Sequence, residues 1–429
     1  MGNISITRRA VDYLGDPFLV RTIQEQLGVK QIADHNEFSD APSPRRSLAS
    51  AKPRPGSDDE ASGGSGASAA ASAAGNGLVN GYRWLSSKTR KRVTSPESTS
   101  PAPSPEPLEM VVEIYPLLNI FFRLATELGH EPFYITYFPF LVWNADTALG
   151  RHTVMVWCIS MYVGQACKVL FKWKRPACPP AIRLVTNPVL ETEYGLPSTH
   201  ATVATTIPFY SLYFLYYRYN LSLWFGLPVA LFWCLSVCLS RVYLGVHTVL
   251  DVLAGLLVAI IMLVLCLPAI TYLDWFVFDF EYTLIAAPLF VILLLYVYPV
   301  EADKWSMDRG DTAAILGVGL GTLLGFHLHG RFPDDIGTGG FEVALPSLQV
   351  VGVSIVRFVV GVLLLLPTRF IMKLLCFRLL PLIMPTHGVQ EVVKRPLVEL
   401  PYKIITYGMI GFNAVYLVTY VFEICNISR

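Results

Sequence analysis

Three polar stretches lie at the ends of long apolar runs, and each contains residue types that can handle a charged substrate. They are KVLFKWKRP (168–176), PSTH (197–200) and SRVYLGVHTVLD (240–251). An ionisable side chain at membrane depth costs a few kcal/mol and is a functional candidate by default. We therefore ask what chemistry these residues could perform together, and which elements would have to bring them to one place.

The first stretch offers two cations that could bind one anion. Lys168 and Arg175 are seven residues apart, so a continuous helix would place both on one face, and Pro176 would end that helix. Two cations aimed together suit a multiply charged anion, and the planar guanidinium group fits phosphate oxygens. The alternative is a basic flank whose lysines extend to the membrane surface.

The second stretch predicts the start of a helix. Ser198 is a good cap, and an apolar helix is expected to begin near His200. The serine hydroxyl and the first amides would donate to an anion at the positive end of the helix dipole. His200, beside that anion, could give a proton to a leaving oxygen. The alternative is a plain cap with an incidental histidine.

The third stretch contains a histidine paired with a carboxylate. His247 and Asp251 are four residues apart and would be neighbours on one helical face. An aspartate that accepts from one ring nitrogen leaves a lone pair on the other, which is the arrangement of a nucleophilic or general-base histidine. Arg241 could clamp a phosphate oxygen. The alternative is a buried structural pair.

The composition is that of a polytopic helical membrane protein. Of 429 residues, 53% are hydrophobic and 15% charged, and the mean hydropathy of +0.48 is too high for a soluble globular protein. The apolar runs are continuous rather than alternating, which favours helices over a β-barrel. We predict spans at 131–148, 152–172, 201–217, 223–240, 248–268, 283–300, 313–329, 347–367 and 402–424, with weaker candidates at 110–127 and 370–385.

The order of these spans places all three polar stretches on one side of the membrane. The first stretch ends the second span, PSTH begins the third, and the third stretch follows the fourth, after the chain has crossed away and returned. We see no cluster of carboxylates that would hold Mg²⁺ or Zn²⁺. We therefore expect metal-free chemistry, without a cofactor, in which protein cations neutralise the substrate.

The N-terminal region, residues 1–107, differs from the rest. Residues 16–29 predict an amphipathic helix with Asp16 as its cap and Pro17 in its first turn, docked on the body or on the membrane surface. Its predicted apolar face consists of Phe18, Leu19, Ile23 and Leu27. Residues 39–107 are rich in Ala, Ser, Gly and Pro, which is typical of disorder. The basic cluster at 88–92 favours a cytosolic position.

Together the three stretches resemble the signature of the type 2 phosphatidic acid phosphatase superfamily. That signature has the form K-x6-R-P, P-S-G-H and S-R-x5-H-x3-D, and all three parts match in order and spacing. The one departure is Thr199, where the general pattern has glycine. Within the superfamily, this threonine and the segments EYGLPSTHA, RGDTAAILG and VELPYKIITYGMIGF resemble the sphingosine-1-phosphate phosphatases, from about Thr126 to near the C-terminus.

The resemblance implies an all-α polytopic bundle with a six-helix catalytic core in residues 108–275. The cytosolic N-terminal region would precede this core, and additional transmembrane helices in residues 276–429 would follow it. The family chemistry needs nothing beyond Asp251, so a dimer interface and part of a lipid passage are both open as roles for these later helices. The implied activity is metal-independent hydrolysis of sphingosine 1-phosphate and its dihydro form at the lumenal face of the endoplasmic reticulum membrane. No nucleic-acid partner is expected.

The resemblance also assigns roles to individual residues. His247 would attack phosphorus and form a phosphohistidine, with Asp251 orienting it, and His200 would protonate the leaving lipid oxygen and then activate water. The phosphoryl oxygens would be held by Lys168, Arg175, Ser198, Thr199 and Arg241. A broader lipid phosphate or polyprenyl diphosphate phosphatase is the alternative enzyme. A non-catalytic scaffold or transporter would be expected to lack a motif residue.

A cytosolic N-terminus with a lumenal site requires an odd number of crossings before Lys168. The two stronger runs there give an even number. The weak candidate at 110–127 would therefore have to span the membrane.

Overall fold

A computed structural model shows the chain as a bundle of helices. It describes residues 2–32, 111–185, 193–300, 307–332, 347–383 and 396–427. The described residues up to 31 and from 112 onward belong to one compact unit. The segment predicted to be disordered, 39–107, lies outside the described residues.

The first elements are short. They are α1 (Gly2–Leu14), α2 (Pro17–Gln26), strands β1 (Lys30–Ile32) and β2 (Val111–Glu113), which form a two-stranded sheet, and α3 (Pro116–Glu127). The bundle follows. Its elements are α4 (Glu131–Phe140) with a π-helical turn (Leu141–Ala145), α5 (Thr147–Phe171), α6 (Thr199–Tyr219), α7 (Leu223–Tyr243), α8 (Val249–Phe278), α9 (Thr283–Val297), α10 (Met307–His329), α11 (Leu348–Ile383), α12 (Pro396–Val415) and α13 (Leu417–Ile424).

The strong predicted spans each correspond to a helical segment of the bundle. Six are long and apolar enough to cross a membrane: α5, α7, α8, α10, residues 348–379 of α11, and residues 398–424, which combine α12 and α13. The other three are α4 with its π turn, α6 and α9, which is apolar but has only 15 residues. The chain is a multi-pass membrane protein, as its composition predicted.

Neither of the two weak candidates forms a separate membrane span. Helix α3 has 12 residues and is about 18 Å long, so it cannot cross a hydrocarbon core of about 30 Å by itself. The candidate at 370–385 is not a separate span, because residues 348–383 form one continuous helix of 36 residues. Helix α3 therefore does not by itself supply the additional crossing that an odd number before Lys168 would need.

Helices α10 and α12 pack backbone against backbone. A Cβ atom at Gly317 would lie 2.8 Å from the carbonyl oxygen of Ile404, and one at Gly321 would collide with the Gly408 carbonyl. Small residues allow membrane helices to approach in this way. These glycines therefore bring two helices of the C-terminal region into direct contact.

Helix α2 docks on the body of the protein partly through the predicted face, since Ile23 and Leu27 pack against buried apolar clusters. Asp16 caps it and accepts from the Phe18 amide at 2.8 Å, as expected, yet Phe18 itself is 66% exposed. The buried residues are Val20 and Gln24. The Gln24 side chain donates to the carbonyl oxygens of Ile182 at 2.6 Å and Tyr243 at 2.9 Å, and accepts from the Ile182 amide at 2.9 Å.

This docking places the N-terminal helices at the end of the bundle that carries the three polar stretches. Tyr243 ends α7 just after Arg241, and Ile182 follows Arg175 in the segment between α5 and α6. Helix α3 lies at the same end, where the Phe122 and Tyr243 rings are 4.6 Å apart. A cytosolic N-terminus opposite a lumenal site does not agree with this packing, because residues 2–31 and the site share one end.

We predict that residue 13, in α1, and Cys178, in the segment after Arg175, react from the same side of the membrane. Tyr13 is 62% exposed, Cys178 is exposed, and Cys425, at the far end of α13, is also exposed. Tyr13→Cys, Cys178 and Cys425 are tested one at a time, with the other exposed cysteines changed to alanine. A membrane-impermeant maleimide applied to sealed vesicles should label the first two alike and Cys425 only from the opposite face. Labelling of Tyr13→Cys together with Cys425 would contradict the docking.

Candidate active site

A cavity of about 310 Å³ collects residues from all three polar stretches. Its lining includes six of the eight predicted site residues: Lys168, Arg175, Thr199, His200, Arg241 and His247. The other two, Ser198 and Asp251, are fully buried directly behind it. Elements separated by up to 80 residues of sequence thus supply one site, as the order of the spans predicted.

The first stretch reaches the cavity by a different route from the predicted continuous helix. Helix α5 ends at Phe171, and Lys172 adopts a left-handed conformation with φ of 52°. The chain then runs extended, and Lys174 pairs with Tyr194 in an isolated β-bridge. Lys168 therefore points from the last turn of a helix, whereas Arg175 comes from an extended segment, and Pro176 does not end the helix.

The PSTH stretch caps α6 as predicted. Ser198 is the cap residue, and its hydroxyl oxygen accepts from the Ala201 amide at 3.4 Å, so its proton remains available to donate. The Ser198 amide donates to the Asp251 carbonyl oxygen at 2.9 Å, which ties the start of α6 to α8. The space for Thr199 comes from Gly164 on α5, where a Cβ atom would lie 3.3 Å from the threonine methyl group.

His200 lies in the first turn of α6 and packs against residues before α4. Its ring meets that of His130 edge to face, with centroids 4.8 Å apart, and the chain at Gly129 passes so close that a Cβ atom there would collide with the ring. Its Nε2 atom is buried without a hydrogen-bond partner among the described residues. A nitrogen left open in a polar cavity is suited to exchange a proton with a ligand.

The contacts of His247 indicate its tautomer. An Arg175 amino nitrogen lies 3.2 Å from His247 Nε2, and the same nitrogen donates to the Val246 carbonyl oxygen at 2.9 Å. Because arginine can only donate, Nε2 carries a lone pair, and the ring proton of the neutral imidazole resides on Nδ1. Nδ1 faces Asp251 Oδ2 at 3.4 Å. The lone pair is thus directed to the cavity, with the carboxylate behind the ring.

Burial keeps His247 neutral. The side chain is 1% exposed, and removal of water lowers the pKa of His247 well below 6.5. The cations of Arg175 and Arg241 lower this pKa further. A histidine that remains unprotonated near neutral pH can act as a nucleophile.

Asp251 has a second task besides facing His247. Its Oδ2 atom accepts from the Thr248 amide at 2.8 Å, while its own amide donates to the Thr248 hydroxyl at 3.2 Å. This capping box starts α8 and fixes the carboxylate. Because Thr248 follows His247 directly, the cap also fixes the backbone that carries the imidazole.

The structure adds partners that the three stretches did not reveal. Arg241 donates to the Thr126 hydroxyl at 2.5 Å, Arg175 pairs with Glu193 at 2.7 Å, and Lys168 Nζ lies 3.8 Å from Asp308 Oδ1. No spacing rule identifies Thr126 or Asp308, which come from α3 and α10. Only the wider resemblance to the sphingosine-1-phosphate phosphatases included these positions.

The cavity continues from the polar residues into the bundle. Its deeper walls are apolar and come from α4, α5, α10 and α12; they include Phe138, Val142, Val154, Trp157, Ile315, Val318, Ile410 and Ala414. A space that is charged at one end and apolar along its length suits an amphipathic ligand. Among the described residues, no three His, Cys, Asp or Glu side chains come together as a metal site would require.

The comparisons with known proteins agree with the motif resemblance. The model of the PAP2 superfamily matches residues 133–275. The chain is 38% identical over 83% of its length to sphingosine-1-phosphate phosphatase 1 of Mus musculus, of which it covers 83%. It is 36% identical over 71% of its length to sphingosine-1-phosphate phosphatase 2 of Homo sapiens, covering 78%, and 27% identical over 48% to a dihydrosphingosine 1-phosphate phosphatase of Schizosaccharomyces pombe, covering 52%.

No solved structure matches the chain. The helical bundle, the complete three-part motif around one cavity and the identity to curated relatives lead to one assignment. The chain belongs to the PAP2 superfamily of lipid phosphatases and, within it, to the sphingosine-1-phosphate phosphatase family.

Proposed function

We propose that the chain hydrolyses sphingosine 1-phosphate and dihydrosphingosine 1-phosphate through a phosphohistidine intermediate, with no metal ion taking part. The observation that carries this proposal is one cavity, which joins the three predicted cations and the two predicted histidines at one end to apolar walls along its length. The curated relatives named for these two substrates support the choice of lipid.

In the first step, the Nε2 lone pair of His247 attacks phosphorus. A P–N bond forms as the P–O bond to the lipid breaks. His200, which takes up a proton when the anionic substrate binds beside it, gives that proton to the departing oxygen, so that the alcohol leaves uncharged. Asp251 faces the Nδ1–H group and stabilises the positive charge that develops on the imidazole. The separation of Nδ1 and Oδ2, which is 3.4 Å in the structure, would shorten as that charge grows.

In the second step, water attacks the phosphohistidine. His200, now neutral, takes a proton from the water as a P–O bond forms and the P–N bond breaks, which returns both histidines to their starting states. Inorganic phosphate and the sphingoid base are the products.

The remaining site residues hold the phosphoryl group. Lys168, Arg175 and Arg241 supply positive charge, and Arg175 already occupies the position next to the attacking nitrogen. The hydroxyl of Ser198 and the first amides of α6, including that of Thr199, supply directed donors at a helix start. These groups are fixed before substrate arrives, and preorganised donors of this kind lower the barrier to phosphoryl transfer.

We also propose residence in the endoplasmic reticulum membrane, with the site at the lumenal face. In that orientation, the docking of α2 would put residues 2–31 on the lumenal side as well, rather than in the cytosol. For α10 and α12 we propose the lipid-passage role instead of a dimer interface, because both helices line the cavity. We further propose that residues 108–275 form the catalytic core, behind an N-terminal region at 1–107.

We predict that His247→Ala abolishes phosphate release, with a loss of at least about 10³-fold, because no other group replaces the nucleophile. Phosphate release from sphingosine 1-phosphate by purified protein is measured with and without EDTA, which should change nothing. Full activity of His247→Ala would contradict the mechanism. Comparable turnover of phosphatidic acid by the wild type would favour the broader phosphatase, and the absence of turnover with every lipid phosphate would favour a non-catalytic protein.

A second prediction concerns the pH dependence of the reaction. Because the pKa of His247 lies well below 6.5, its lone pair stays available as the pH falls, and its protonation limits the reaction only at more acidic pH. Arg175→Gln removes a nearby positive charge, so the pKa of His247 should rise. The acid limb of kcat/KM should then move to higher pH, while the plateau falls by about 100-fold through the loss of a phosphate ligand.

The substrate's own ionisation is the same for both enzymes, so the difference between the profiles reports on the protein. Arg183→Gln serves as the matched control, since Arg183 lies in the same segment but does not line the cavity. An Arg175→Gln profile with an unshifted acid limb would show that Arg175 does not hold His247 in its neutral form.

A further inference from the structure

The cavity that holds the phosphate-binding cations also contains carboxylates. Glu131, Glu193, Asp308 and Asp311 line it. A carboxylate near a bound phosphate repels it, and that repulsion is poorly screened in a buried site. A cavity built only for an anion gains nothing from these groups in its bound state, so their presence requires an explanation.

Three of the carboxylates have close partners of their own. Glu193 pairs with Arg175 at 2.7 Å, Asp311 pairs with Lys403 at 3.1 Å, and Glu131 accepts from the Tyr407 hydroxyl at 2.9 Å. Asp308 differs from these three. Its Oδ1 atom forms only a long ion pair, 3.8 Å from Lys168 Nζ, and its side chain is only 7% exposed.

Substrate binding makes the position of Asp308 more costly. Lys168 is a ligand proposed for the phosphate, and its positive charge is then shared with a dianion. Asp308 remains buried next to that dianion, and a buried charge without adequate compensation is strongly destabilising. A second cation, brought by the substrate close to its phosphate, would restore the balance.

Helix α10 shows what kind of molecule could bring that cation. The residues of α10 in the cavity lining include positions 308, 311, 315, 318 and 322, whose spacing of three or four residues defines one helical face. This face begins with the two carboxylates of Asp308 and Asp311 and continues with Ile315 and Val318. It matches an amphipathic ligand with a cation in its head group and an apolar chain.

We propose that Asp308 binds the ammonium group of the substrate and so selects phosphate esters that carry an amine beside the phosphorylated carbon. The proposal rests on the function proposed above and names its specificity determinant, which lies outside the matched segment 133–275. A sphingoid base phosphate has such an amine two carbons from the ester oxygen, within a few ångströms of phosphorus. A phosphatidic acid or a simple alkyl phosphate lacks it and leaves Asp308 with only Lys168, whose charge the phosphate also takes, so the same residue favours one class and disfavours the other.

The test compares two single-chain substrates, sphingosine 1-phosphate and octadecyl phosphate, on the full-length protein in detergent. We expect Asp308→Asn to lower kcat/KM for sphingosine 1-phosphate by at least tenfold, with no loss or a gain for octadecyl phosphate. Asp308→Glu, which keeps the charge, should retain most of the preference. Asp311→Asn, on the same helical face but paired with Lys403, should change both substrates alike.

A second measurement separates recognition of the amine from an effect on Lys168. Free sphingosine carries the ammonium group without a phosphate, and it should inhibit the wild type more strongly than Asp308→Asn, whereas octadecanol should inhibit both equally. An equal loss of activity on both phosphate esters, with unchanged inhibition by sphingosine, would overturn the proposal and make Asp308 a positioning residue for Lys168.

The wild-type arm distinguishes this proposal from the one on which it rests. If the wild type hydrolyses octadecyl phosphate as well as sphingosine 1-phosphate, the proposed substrate class itself is wrong. If the wild type prefers the sphingoid base phosphate and Asp308→Asn keeps that preference, only the assignment to Asp308 fails. If Asp308→Asn does not fold, Asp308→Glu and the inhibition by sphingosine still test the role of Asp308. Loss of the substrate preference in Asp308→Glu, which retains the negative charge, would contradict recognition of the amine by charge.

Discussion

The approach of Arg175 to His247 is the interaction on which the rest of the site depends. It joins the extended segment after α5 to the turn between α7 and α8, across 72 residues of sequence, at 3.2 Å. Because arginine only donates, this contact leaves a lone pair on Nε2 and directs the ring proton towards Asp251. In the proposed mechanism, the same guanidinium group also binds a phosphoryl oxygen. A single side chain would then position both the attacking nitrogen and phosphorus.

Such a contact is useful only if the helices behind it are held in register, and the far end of the bundle contributes to that. There Asp146 caps α5, accepts from the Tyr219 hydroxyl at 2.6 Å and pairs with Arg218 at 2.9 Å. Asp274 of α8 binds Arg151 and His152 of α5. Buried polar groups in a membrane bundle must be paired, so these contacts tie α5, α6 and α8 together opposite the site.

The parts of the molecule that could be predicted from sequence are those in which local pattern decides. Continuous apolar runs locate the spans, Ser198 and Asp16 identify helix starts, and motif spacing collects the cavity residues. The K-x6-R spacing fitted a helical face equally well, but the left-handed turn at Lys172 breaks the helix and Arg175 arrives on an extended segment. Periodicity could not predict that Gln24 is buried, because a glutamine side chain is normally expected at the surface. Its burial depends on hydrogen-bond partners that are 158 and 219 residues away in sequence.

The C-terminal helices illustrate a different limit: an apolar helix that lines a cavity has the same sequence pattern as one that faces lipid, so the contribution of α10 and α12 appears only in three dimensions. The apolar walls from these helices also affect the balance between substrate binding and product release. Arg175 and Lys168 already have the carboxylates of Glu193 and Asp308 as partners. Phosphate must compete with these partners, so the net gain from binding it alone is reduced. The apolar walls must then supply much of the binding free energy through the lipid chain. Once that chain has been cleaved from the phosphate, the anion is held only by cations that also pair with carboxylates. Its binding is then weaker, and it can dissociate.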